Sequence, residues 1–194
     1  QFDWLIVDHY SLDNRWESEM RNFASKIMVI DDLADRRHDC DILLDQTLGR
    51  NEGEYQPWTP ENCALLTGSK YALLRPEFGE LRVKTLEKRK DFNGVHRLLV
   101  AMGGIDQHNI TANVLEALDQ IKWGMKPFVD VVLGSKALHL ENVRRCAKEI
   151  SLRAAVSVDV NDMALRMSDA DFAVGAGGTT TWERCCLGLP VLVI

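Results

Sequence analysis

The sequence predicts an α/β protein of two lobes, each built on a parallel sheet. Short apolar runs alternate with segments of helical period along the chain. That is the pattern of parallel sheets covered on both faces. Two Gly-rich loops, "MGGIDQHN" and "GAGGTTTWE", follow apolar runs in the C-terminal half. Loops at such positions are where open α/β sheets bind their ligands. The charged run "GELRVKTLEKRKDFNG" lies between the halves. It reads as a solvated helix face or linker, and the join is set near Lys90–Gly94. The expected lobes are residues 1–93 and 94–194.

In the first lobe, "WLIV" (Trp4–Val7) reads as a buried strand. The segment "NRWESEMRNF" places Trp16, Met20 and Phe23 on one helical face, and Asn14 with Glu17 resembles a capping box. "KIMVI" and "DILL" (Asp41–Leu44) are the next strands. Gln46–Asn62 turns to Gly, Pro and polar residues, a surface loop, and "YALLRPEF" returns to order. In the second lobe the strands are "HRLLVAM", "PFVDVVLGS", "AAVSVDV", "DFAVGA" and "PVLVI". The helices are "ITANVLEALDQI", "LENVRRCAKEI", "DMALRMSDA" and "TTTWERCCLG". In the first of these helices, Ile110, Val114, Leu118 and Ile121 lie along one side.

The chain has 194 residues, 46% hydrophobic and 27% charged, an ordinary globular balance with room for a sizeable core. A net charge of −6 and no Lys/Arg stripe argue against a nucleic-acid partner. A phosphate would have to be held locally, by backbone N–H groups and helix ends. The five cysteines contain no C-x-x-C pair, which fits reduced, buried small side chains. No metal site is expected: adjacent Asp31 and Asp32 point apart, and His38–Cys40 and His139–Cys146 lack ligand geometry. No apolar run spans a bilayer and no signal peptide is present, so a cytoplasmic protein is expected. The chain opens at Gln1, close to a strand, and stops at Ile194 inside one, which reads as the interior of a longer protein.

The two glycine loops are the chemical candidates. Each precedes a helix, so unpaired N–H groups and the positive dipole end would face the crevice. Thr179, Thr180 and Thr181 add hydroxyls, and Glu183 could accept two sugar hydroxyls. The alternative leaves the glycines as turn formers, the threonines as caps and Glu183 as a complement to the dipole. Neither loop is a dinucleotide fingerprint or a P-loop. Asp8, His9 and Tyr10 form a polar cluster at the end of the first strand. A His beside a carboxylate can act as a general base, but a His at a strand end is more often a surface or packing residue.

The segment "NDMALRMSDADFAVGAGGTTTWERCCLGLPVLVI" resembles the nucleotide-binding part of GT-B glycosyltransferases, notably the peptidoglycan N-acetylglucosaminyltransferases. "DWLIVDHYSLDNRWE", "KIMVIDDLADRRHDCDILLDQ", "YALLRPEF" and "MGGIDQHNIT", in that order, resemble the UDP-sugar hydrolases of pseudaminic acid biosynthesis. These cleave UDP from UDP-2,4-diacetamido-2,4,6-trideoxy-β-L-altropyranose. The resemblance covers nearly the whole chain. It implies a GT-B-like fold of two Rossmann-like lobes facing a cleft, both incomplete here. It also implies a UDP-sugar substrate, no cofactor, and hydrolysis at the anomeric carbon with inversion. Gly177, Gly178, Thr179, Thr180 and Thr181 would meet the diphosphate, and Glu183 the ribose. Val160, with Met163 nearby, would hold the uracil edge, and Gly103 and Gly104 would face the diphosphate or sugar. Tyr10, with Asp8 and His9, would line the sugar side. The base implied by the resemblance is a His in a "G-x-G-H" loop expected upstream of Gln1. On that account this chain alone is expected to be inactive, and His9 does not inherit the role. A glycosyltransferase with the same donor site, or a non-catalytic UDP-binding fragment, are the rival readings.

Overall fold

Nine parallel-paired strands and six helices alternate along the chain, and the computed structural model describes all of residues 1–194. They divide into two units, Gln1–Leu73 and Leu74–Ile194.

The first unit holds β1 (Phe2–Val7), α1 (Asn14–Met20), β2 (Ala24–Ile30), β3 (Ile42–Asp45) and β4 (Ala64–Thr67), with the strands in spatial order β1-β2-β3-β4. Val7, Ile27, Val29, Leu43 and Tyr55 form its core. The edge strand β1 departs from the buried strand expected at Trp4–Val7: Trp4 and Ile6 are exposed and only Val7 is buried. The helix cap also differs. Asp13, not Asn14, caps α1, accepting from the Arg15 N–H. Glu17 turns inward and is fully buried. Its Oε1 lies 2.8 Å from His38 Nδ1, and its Oε2 accepts the Asp39 N–H. The expected surface loop at Gln46–Asn62 contains a 3₁₀ turn at Glu52–Glu54 and the wholly buried Tyr55. The Tyr55 hydroxyl lies 3.0 Å from Asp31 Oδ2 and 2.9 Å from Asp45 Oδ2, so the loop is pinned to the ends of β2 and β3. Cys40 is buried with its Sγ 3.5 Å from that of Cys63, whereas Cys185, expected to be buried, is exposed.

The second unit begins with α2 (Pro76–Lys90) and continues through β5 (Arg97–Ala101), α3 (Ile110–Asp119), β6 (Phe128–Leu133), α4 (Leu140–Glu149) and β7 (Arg153–Val158). It closes with α5 (Met163–Asp169), β8 (Phe172–Gly175), α6 (Thr180–Cys186) and β9 (Val191–Val193). Its strand order is β7-β6-β5-β8-β9, all parallel. This is the 3-2-1-4-5 winding of a Rossmann sheet, with the chain reversing direction between β5 and β8. Successive side chains point to opposite faces. Leu98 and Val100 therefore join the core under α3 and α4, while Leu99 joins the core under α2, α5 and α6. Burial on both faces is why β5 reads as an apolar run from Leu98 to Ala101, and β6 as one broken only by the buried Asp130.

Helix α2 is not merely a solvated charge run. Phe78 and Thr85 are buried, and Arg89 donates to the carbonyls of Met167, Ala170 and Leu187 at 2.7–2.8 Å. Arg82 donates to the Cys186 carbonyl. These bonds satisfy carbonyls at the C-terminal ends of α5 and α6 that would otherwise lack partners. The helix is thereby assigned to the second unit, and the contact division falls ahead of it, at Leu73/Leu74. The join expected between residues 93 and 94 lies just beyond its far end. Along α3, Val114 and Leu118 are buried, but Ile121 lies past the helix end and is exposed.

Candidate functional site

Beyond the carboxyl ends of β5, β6 and β8 lies a cavity of about 220 Å³ within the second unit. It sits where the strand order reverses, the position at which doubly wound sheets bind ligands. Leu99, Val132, Ala173 and Met167 give it an apolar floor. Gly103, Gly104, Val160, Met163 and Thr180 line it, as does Arg184, which the sequence reading did not single out. Gly177, Gly178, Thr179, Thr181 and Glu183 are not among its lining residues; they lie on the adjoining loop and helix.

The three strand ends shape this space differently. After β6, Gly134 packs on the Gly103–Gly104 loop. A Cβ there would lie 2.5 Å from the Gly104 carbonyl oxygen and 2.9 Å from its Cα, so only glycine permits the approach. After β8, the backbone N–H groups of Gly177, Gly178, Thr179 and Thr180 donate to no group of the chain, and space is open around both glycines. After β7, Asp159 takes a left-handed conformation, with φ 49°, and its N–H bonds the Leu133 carbonyl. Its carboxylate accepts the Ser135 N–H at 2.8 Å. This turn brings Val160 and Met163 to the cavity, and the Val160 N–H and C=O have no partner within the chain.

The first glycine loop does not present a free helix end. Asp106, nearly buried, accepts the N–H groups of Ile110 at 2.8 Å and Thr111 at 3.0 Å. The N-terminus of α3 is thus occupied by the chain's own carboxylate. The expectation of unpaired amides there is corrected: a buried helix end must find acceptors, and Asp106 is in reach. At α6 the N–H groups of Thr181 and Trp182 are spent on turn bonds to Gly178 and Thr179, and Thr179 makes no side-chain cap.

Two side chains bring charge. Glu183 is mostly buried, and its carboxylate stands 3.5 Å from Arg75 Nη2. Burial raises its pKa, and Arg75 partly offsets this. Arg184 is only 2% exposed. Its Nη2 donates to the Ala176 carbonyl at 2.8 Å and to Thr181 Oγ1 at 3.2 Å, and its buried Nε has no partner. Burial pushes its guanidinium below its ordinary range.

In the first unit Asp8, His9 and Tyr10 are exposed after β1. His9 Nδ1 accepts the Ser11 N–H and is hydrogen-bonded to no carboxylate. Asp32 raises the Tyr10 phenol above its usual range. The His paired with a carboxylate is instead His38, buried against Glu17. The signals that could have pointed to the missed residues were weak: a glycine closing "VVLG", and an arginine directly after Glu183 in "TTTWERCCLG".

Fold and site together define a Rossmann-like α/β protein whose two parallel sheets are of the kind found in GT-B lobes. The chain is similar to several known proteins. It is 34% identical over 133 residues to the spore coat polysaccharide biosynthesis protein SpsG of Bacillus subtilis, a match covering 69% of this chain and 38% of that protein. It is 26% identical over 172 residues to the UDP-2,4-diacetamido-2,4,6-trideoxy-beta-L-altropyranose hydrolase of Campylobacter jejuni, covering 88% of this chain and 58% of that one. An uncharacterised protein of Methanocaldococcus jannaschii is 26% identical over 99% of this chain, which spans 40% of its length. The chain thus spans less than two thirds of each of these relatives. No protein-family model matches it.

Proposed function

We propose that this chain carries the nucleotide site of an enzyme that hydrolyses a UDP-activated sugar and releases UDP, in bacterial pseudaminic acid biosynthesis in the cytoplasm. The observation that carries the reading is the cavity at the β5/β8 switch point, with unpartnered amides on the adjoining Gly177–Thr180 loop. Similarity to the Campylobacter jejuni hydrolase over 88% of the chain supports the choice of reaction.

In this reading Gly177, Gly178, Thr179, Thr180 and Thr181 hold the diphosphate, with Gly103 and Gly104 opposite it. The free N–H and C=O of Val160 read the uracil edge, with Met163 beside the ring. Glu183 accepts the ribose hydroxyls. Water attacks the anomeric carbon as a general base takes its proton, the bond from that carbon to the phosphate oxygen breaks, and UDP departs with the bonding pair. Fixed N–H donors stabilise the charge that develops on UDP. Asp8, His9 and Tyr10 are proposed for the sugar.

The test is calorimetry with UDP and its 2′-deoxy analogue. Glu183→Ala is expected to lose about 1.5–3 kcal/mol of UDP binding, as for hydrogen bonds to a charged group. It should also bind the two nucleotides alike. A variant that still discriminates them as strongly as the unaltered protein removes Glu183 from the ribose. Release of UDP, followed by chromatography on the full-length protein, separates hydrolysis from transfer: turnover that requires an added sugar or lipid acceptor would favour a glycosyltransferase.

A further inference from the structure

Arg184 is a buried cation without a counter-ion. Other arginines with largely buried side chains in this protein face carboxylates: Arg36 meets Asp31 at 2.7 Å, Arg50 meets Asp45 at 2.5 Å, and Arg166 meets Asp130 at 2.7 Å. Arg89 lacks such a partner but uses its whole fork on three carbonyls. Arg184 does neither. Only its Nη2 is hydrogen-bonded, to the Ala176 carbonyl and Thr181 Oγ1, and its Nε is buried and unpartnered. Room for it is built into the backbone. A Cβ on Gly175 would lie 2.5 Å from Arg184 Nη1, so the guanidinium occupies the space that any other residue at the end of β8 would fill.

Burying a charge without a partner is costly, and buried charges in folded proteins are normally paired. This one lines an open cavity that no carboxylate neutralises. We infer that Arg184 supplies the positive charge that an anionic ligand neutralises in this cavity, and so determines the preference of the site for a diphosphate-bearing ligand over a neutral nucleoside. The inference deepens the nucleotide reading above and rests on it. It assigns to a charged side chain part of a role that reading gives to the Gly177–Thr181 loop. The contacts to Ala176 and Thr181 give Arg184 a second effect: they hold the ends of the Gly177–Thr180 loop beside the charge.

Calorimetry on the full chain with UDP, uridine and inorganic pyrophosphate tests this, with Arg184→Gln and Arg184→Lys as variants and circular dichroism as the check on folding. The unaltered protein is expected to bind UDP more tightly than uridine. Arg184→Gln should lower UDP affinity about ten- to a hundred-fold, as for a lost charged hydrogen bond, and leave uridine affinity unchanged. Arg184→Lys should recover part of the preference. Equal weakening of UDP and uridine would reduce Arg184 to shaping the loop and overturn the inference, as would unchanged UDP affinity. Should the Gln variant not fold, competition of pyrophosphate with UDP on the unaltered protein decides, and failure to compete overturns the inference. Pyrophosphate binding that depends on Arg184, without any uridine-nucleotide binding, would overturn the nucleotide reading and leave the anion site standing. Binding of neither overturns both.

Discussion

Gly175 has no room for a methyl group: a Cβ would meet Arg184 Nη1 at 2.5 Å and the Ala101 carbonyl oxygen at 2.8 Å. Gly175→Ala must therefore push the guanidinium aside or part β8 from β5. Overpacking of this kind costs about 1–3 kcal/mol, which urea unfolding would register. A variant as stable as the parent would mean that the strand end yields freely. Gly178 is the opposite case. Its φ of 114° suits glycine, but nothing lies within 4 Å of where a Cβ would point. Gly178→Val is thus expected to meet no neighbour in the chain, to strain the backbone locally, and to weaken UDP binding by standing where a ligand would approach. Calorimetry beside an unfolding curve separates the two effects, and unchanged affinity in a folded variant would take this loop out of the site.

Helices in the second unit are held at their ends by side chains, one from the loop just before the helix and one from a different helix. Asp106 closes the N-terminus of α3, and Arg89 closes the C-terminal ends of α5 and α6. Asp106→Ala leaves the Ile110 and Thr111 amides without their acceptor. Loss of such a cap costs about 0.5–2 kcal/mol. The loss should show in thermal unfolding and in faster hydrogen exchange at the first turn of α3. Exchange unchanged at those amides would mean that water replaces the carboxylate at no cost. The same substitution removes the negative charge from this helix end. A modest gain in pyrophosphate binding is therefore expected where stability is lost.

Across the first unit, a set of carboxylates ties strands and loops to cations. Arg21 hydrogen bonds hold the Asp39 carboxyl below its usual range. Burial opposes the charge on Asp41, but bonds from Lys26, the Ile27 N–H and Arg21 outweigh it and hold its pKa well below the ordinary value. Burial likewise opposes Asp31, and the Ala34 N–H, Tyr55 and Arg36 outweigh it. For each, the folded pKa lies below the unfolded one. The unfolded state thus binds more protons in that interval, and stability falls as pH falls. The contribution is complete above the unfolded value of about 3.9 and is lost on acidification through the lower folded value. Urea midpoints should hold near neutrality and drop steeply below about pH 4. Asp41→Asn should be less stable at pH 7 and show a shallower drop in acid; an identical acid slope would remove Asp41 from this linkage.

The order of strands and helices could be read from the sequence because run length and hydrophobic period are local properties. "HRLLVAM" and "DFAVGA" have the length and the flanking glycines of buried strands, and a Gly pair at a strand end allows close approach of the backbone. What the local pattern could not contain is which distant residues meet. Gly134 is needed because of Gly104, thirty positions earlier, and Gly175 because of Arg184. Glu17 reads as a cap until His38 and Asp39 come to lie beside it. The charge run of α2 looks solvated because nothing nearby in sequence shows the carbonyls that Arg89 reaches. Arg184 is the sharpest instance. An arginine in a seven-residue helix is unremarkable in sequence, and only tertiary packing buries it at a cavity wall with no carboxylate in salt-bridge reach.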